Sequence, residues 1–117
     1  MWIFLNNAFL SIVAHRDDPS LLLVRARFKG DIEAVFPAAA VAETLAADYR
    51  FRAPLSRDEV AQAIALALRT MTADNFKSSV GEHWRHDLYL DVWSTLATAQ
   101  RHRAARAARQ GQRRSPV

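Results

Sequence analysis

The feature that most constrains the fold is a change of hydrophobic period midway along the chain. Up to Ala53 the apolar residues fall in short strand-like runs, alternating with arginine over 24–28 and 49–53, and from Val60 they recur at every third or fourth position. Alternation of period two belongs to strands with one buried face, whereas spacings of three and four belong to helices. Within 117 residues this order predicts an α+β domain: a small antiparallel sheet of about four strands, with two or three helices packed on one face.

The strand half is punctuated by turn residues. Residues 2–5 and 9–15 are rich in aromatic and β-branched side chains, and Asn6-Asn7-Ala8 between them predicts a tight hairpin, since asparagine tolerates left-handed backbone angles. Asp17-Asp18-Pro19-Ser20 is the next turn, followed by a third strand over residues 21–28. Residues 31–36 predict one or two helical turns stopped by Pro37. The alanine-rich stretch 38–47 reads either as helical, through Val41 and Leu45, or as a short edge strand. Tyr49 to Ala53 alternates cleanly and is expected to form the fourth strand, ending at Pro54.

The helical half opens on a capping box, Ser56-Arg57-Asp58-Glu59. The helix behind it is expected to run to about Thr72, with Val60, Ile64, Leu68 and Met71 as its apolar stripe. A short helix follows around Phe76 and Val80, ended by Gly81. The last helix begins near Glu82 and carries Leu88, Val92, Leu96 and Ala99 on one side, with Tyr89 and Trp93 beside them and Trp93 expected in the core. Its alanine–arginine extension has good helix propensity to about Gln110, and Gly111 onward is expected to be disordered. Residues 1–100 are thus read as one α+β domain and 101–117 as an arginine-rich helical extension and tail.

Charge is distributed unevenly. Six of the sixteen basic residues stand after Gln100, where there is no acid, so the preceding hundred residues hold ten basic against twelve acidic ones. The basic character of the chain is that of an extension on a near-neutral body. The chain has no cysteine, which excludes disulfides and thiolate chemistry. No apolar run approaches the roughly 18 residues of a membrane span, so the chain is expected to be soluble and cytoplasmic, with no membrane partner.

Four constellations can carry chemistry. Arg25 and Arg27 share one face of the third strand, and Arg50 and Arg52 one face of the fourth. Guanidinium forks in such an array can bind phosphates or an acidic protein; the plainer reading is a solvated face paired with cross-strand acids. No aromatic residue is expected on that face, unlike a typical RNA-binding sheet. Trp84, among polar neighbours, is a candidate contact for a protein partner. Arg101, Arg103, Arg106 and Arg109 form a candidate nucleic-acid-binding ladder; the alternative is a solubilising end. His83 and His86, three apart on a helix, can serve zinc only with a third ligand that no spacing indicates, so two surface histidines are the simpler reading. No nucleophile elbow, phosphate loop or carboxylate pair stands out, so no catalytic residue, cofactor or metal is expected.

The order of several segments resembles a known group. Trp2-Ile3-Phe4, Phe9-Leu10-Ser11-Ile12-Val13, Leu23-Val24-Arg25-Ala26-Arg27, Asp31-Ile32-Glu33, Asp48-Tyr49-Arg50-Phe51-Arg52-Ala53, Asn75-Phe76-Lys77 and His86-Asp87-Leu88-Tyr89-Leu90-Asp91-Val92-Trp93 together resemble a family of short bacterial and phage proteins. That family opens with a W-x-F strand and closes on a Y-x-x-V-W helix. The resemblance spans residues 2–97, excludes the arginine extension and implies no catalytic residues. The residues are read as those of a non-enzymatic protein acting through protein–protein contacts, and the family's spread among phages and mobile elements makes an inhibitor of a host nucleic-acid-handling complex, of the anti-CRISPR kind, the expected role. The alternatives are a sequence-indifferent nucleic-acid binder using the basic extension and, more remotely, a metal-dependent enzyme around His83 and His86.

Overall fold

A computed structural model describes residues 1–114; Ser115, Pro116 and Val117, part of the end expected to be disordered, lie outside the described residues. The chain divides into two compact units, Met1–Ser79 and Val80–Val117. The first contains strands β1 (Trp2–Leu5), β2 (Ala8–Ala14) and β3 (Leu21–Ala26), helix α1 (Asp31–Val35), strands β4 (Ala42–Glu43) and β5 (Phe51–Ser56), and helices α2 (Arg57–Arg69) and α3 (Phe76–Ser79). The second contains one long helix, α4 (His83–Arg113).

The sheet is antiparallel throughout, in the order β1-β2-β3-β5-β4. The α+β class is as expected, with five strands in place of about four; the alanine-rich stretch supplies the additional one as a two-residue edge strand. The hairpin forms with Leu5 opposite Ala8. Its asparagines do not use the left-handed region, since no non-glycine residue among those described has positive φ. Gly30 does, at φ 91°, where it turns the chain into α1 in a conformation that strains any residue with a Cβ.

The register explains the core. Ile12, Val24 and Ala53 lie in line across three strands. That face, with Leu10, Ala26, Phe51 and Leu55, is covered by Ile32 and Phe36 from the α1 region and Val60 from α2. Asp31 ties α1 to the sheet: its buried carboxylate accepts a 2.9 Å hydrogen bond from the Phe9 amide. Such a bond is strong because its acceptor is charged.

Several boundaries differ from expectation, each for a local reason. The third strand ends at Ala26, short of Phe28. The fourth expected strand starts at Phe51 and continues through Pro54 to Ser56. Proline is tolerated because β4 pairs only with Phe51 and Arg52, leaving an open edge beside Pro54. Ser56 caps α2, its hydroxyl accepting the Glu59 amide at 3.1 Å. The helix stops at Arg69, short of Thr72, where the Thr70 hydroxyl donates back to the Leu66 carbonyl at 2.8 Å. Its stripe is therefore buried only in its first half: Leu68 is 64% and Met71 65% exposed. In the second unit Glu82 is the N-cap residue, and the helix continues through Gly111 to Arg113, where disorder was expected. Trp93, expected in the core, is 54% exposed.

Candidate functional site

The four sheet arginines are brought to one region and each is engaged there. Arg25 and Arg52 stand directly opposite each other on β3 and β5, an arrangement of like charges that is unfavourable by itself. Tyr49 resolves it. Because β5 begins only at Phe51, Tyr49 leaves the alternation expected of it and is buried, with the Arg25 and Arg27 guanidiniums 4.4 and 4.3 Å from its ring centroid. Both cations thus meet the electron-rich ring. Arg25 also donates to the fully buried Ser11 hydroxyl at 2.7 Å, although its Nε is buried with no partner. Arg27 donates to the Asp48 carbonyl at 2.8 Å, and Arg52 Nε to the Tyr49 carbonyl at 3.3 Å. Arg50 pairs with Glu43 at 2.9 Å and Arg52 with Asp48 at 3.7 Å. The cluster anchors the segment from β4 to β5.

The aromatic content of this face corrects the sequence expectation. The register aligns Trp2, Ser11, Arg25 and Arg52 across four strands, and Phe4 with Phe9 beside them. Phe4 and Phe9 stack at 4.5 Å, and Trp2 meets Phe9 edge-on at 6.3 Å. Considering β3 and β5 without their neighbours hides these rings, because only strand pairing brings them to the same face.

At the start of α4, Trp84 is 46% exposed and its indole donates to Glu82 at 3.2 Å. Next to it is a residue that composition does not single out: Arg85, buried, bonded to Glu82 at 2.8 Å, with its guanidinium 4.5 Å from the Trp84 ring centroid. The Glu82–Arg85 spacing of three was the available signal. His83 is exposed and the His86 Nδ1 lies 3.6 Å from Asp87. Among the described residues no three potential ligands converge on a metal position. His15, a further potential ligand, has its Nδ1 accepting the amides of Asp17 and Asp18, each at 3.2 Å.

The far end of α4 differs in kind. The helix has 31 residues, a length of about 46 Å at 1.5 Å per residue. From Ala99 to Arg114 every residue is exposed, and the last acid of the chain is Asp91. Alanines 104, 105, 107 and 108 sustain the helix by propensity alone. The helical turn sorts the arginines: His102, Arg106, Arg109 and Arg113, spaced four, three and four, share a face, while Arg101 and Arg103 fall elsewhere. The four-member ladder of the sequence reading is thereby divided, and Arg113 joins its principal face. Arg101 donates to the Thr98 hydroxyl at 3.2 Å. Like-charged neighbours three and four apart oppose the helix, whereas positive charge near a helix C-terminus favours it. An anionic ligand would relieve the first effect.

Among known proteins, no family model, no curated protein and no solved structure matches the chain. No described helix is long and apolar enough to cross a membrane.

Proposed function

We propose that the protein binds nucleic acid through the arginine-bearing end of α4, holding phosphates without reading sequence. The observation that supports this most directly is the fully exposed helical segment from Ala99 to Arg114, with six arginines and no acid. Arginine forks on a preformed helix suit phosphate oxygens, and the release of counterions drives such binding. The segment from Arg101 to Arg113 is about 18 Å long at 1.5 Å per residue, enough to follow several consecutive phosphates. The sheet arginines are the weaker candidates because each already has an intramolecular partner. The reading implies a cytoplasmic protein with no catalytic step of its own.

Replacing all six arginines of residues 101–114 by glutamine in the full chain tests it. Fluorescence anisotropy with a labelled 20-base-pair duplex at 50 mM salt is expected to show at least a hundredfold loss of affinity, with circular dichroism retaining the helix. Undiminished binding would remove the segment from the interface.

A second reading, the protein-binding inhibitor, is favoured by Trp84, Trp93 and Leu96, which expose large apolar side chains along α4. It predicts a captured protein partner whose binding is lost on Trp93→Ser and unaffected by salt.

A further inference from the structure

The first unit contains a groove that the nucleic-acid reading does not use. It has a volume of about 560 Å³ and lies between edge strand β1 with its turn, the C-terminal end of α1, and the C-terminal part of α2 with the segment leading into α3. Eighteen residues line it, and none carries a charge. Its wall is built largely from Ile3, Val35, Ile64, Leu66, Met71 and Phe76, and its polar groups are confined to asparagine, threonine and serine side chains. Leu66, within the last turns of α2, and Met71, just past its end at Arg69, line the groove and are both more than 60% exposed.

We infer that this groove is a binding site for an uncharged, mainly apolar small molecule, such as a medium-length alkyl chain with a neutral polar head. Two observations select that occupant. The volume falls within the roughly 300–1,000 Å³ usual for small-ligand sites. The lining offers no cation for a carboxylate and no acid for an amine, so a charged ligand would lose its hydration without compensation. The asparagines of the β1–β2 turn and the Thr72 hydroxyl among the lining can hydrogen-bond a neutral head group. Methionine adapts its shape to such a ligand more readily than branched side chains do.

The test is methyl NMR of the full chain, labelled at Met, Leu and Ile, titrated in parallel with 1-decanol, decanoate and decylamine. Saturable one-to-one shifts of the Met71, Leu66 and Ile64 methyls with decanol are expected, with at least tenfold weaker response to both charged analogues. Leu66→Arg is expected to abolish the response while leaving the amide spectrum of the sheet intact, because Leu66 is exposed and the substitution leaves the core unaltered. No saturable shift with decanol, or decanoate binding as tightly as decanol, would overturn the assignment. So would a concentration-dependent dimer in sedimentation that Leu66→Arg dissolves, which would assign the groove to a second copy. None of these outcomes bears on the arginine segment, so the two proposals fail separately.

Discussion

The chain uses arginine in two opposite ways. In the sheet, Arg25, Arg27, Arg50 and Arg52 are held by a tyrosine ring, a buried hydroxyl, backbone carbonyls and two carboxylates. At the end of α4, Arg106, Arg109 and Arg113 project from an exposed helix that has no acid within reach of its own sequence. The residue type is the same; what differs is whether the fold satisfies it. An arginine whose charge is already matched contributes to stability, whereas an unmatched one is available to a ligand. The contrast lies between the sheet arginines, engaged within the first unit, and the exposed set at the end of α4, through which binding is proposed.

Substitutions in the sheet can break this comparison, and the largest effect is expected at Tyr49. Tyr49→Ala removes a buried ring and the platform for two guanidiniums, and is expected to destabilise the first unit by about 3 kcal/mol. Urea unfolding checks this; a loss below about 1 kcal/mol would mean that Tyr49 does not organise the cluster. Arg25→Met is expected to cost less, about 1 kcal/mol, because two effects oppose each other. The Ser11 hydroxyl loses its donor, but the unpartnered Nε is no longer held away from water. Neither variant is expected to change duplex binding measured in the same anisotropy assay, and a tenfold loss in Arg25→Met would move the interface to the sheet.

The smallest effect concerns Asp18. Hydrogen bonds from the Ser20 hydroxyl, and then from its amide, hold the Asp18 carboxyl below its ordinary value of 3.8. A carboxyl whose folded value is depressed contributes stability above its unfolded value and loses it as pH falls through the folded one. Asp18→Asn is therefore expected to flatten the acid limb of the thermal-stability profile below pH 4 and leave pH 7 helix content unchanged. An unaltered acid limb would show that this turn does not contribute to acid sensitivity.

Much of the fold was legible: the strands follow from short apolar runs between turn residues, the Ser56 cap from its capping box, and the long last helix from its apolar spacing of three and four. The misreadings arise where a pattern outlasts its element. Tyr49 continues the alternation of Phe51 and Ala53, yet lies before the strand, and its role depends on Arg25 and Arg27 some 24 and 22 positions earlier in the chain. Met71 continues the helical stripe past the point where Thr70 closes the helix, and Leu68, in the last turn of α2, is already mostly exposed. The aromatic residues beside Arg25 were hidden because register is a tertiary property, which β3 and β5 do not reveal without β1 and β2. In the arginine segment, only the place of Arg113 on the face of Arg106 and Arg109 was hidden, since it requires the helix to extend through Gly111.

The most direct test of the difference between the two arginine sets is the salt dependence of duplex binding. If the α4 arginines make the contacts, log affinity against log salt has a slope of about −4 to −5, given about 0.9 per neutralised phosphate and up to six arginines. Arg106→Gln, Arg109→Gln and Arg113→Gln together are expected to reduce that slope by about 3, with the urea midpoint unchanged. A slope unaltered by the triple substitution would contradict the assignment of nucleic-acid contact to α4.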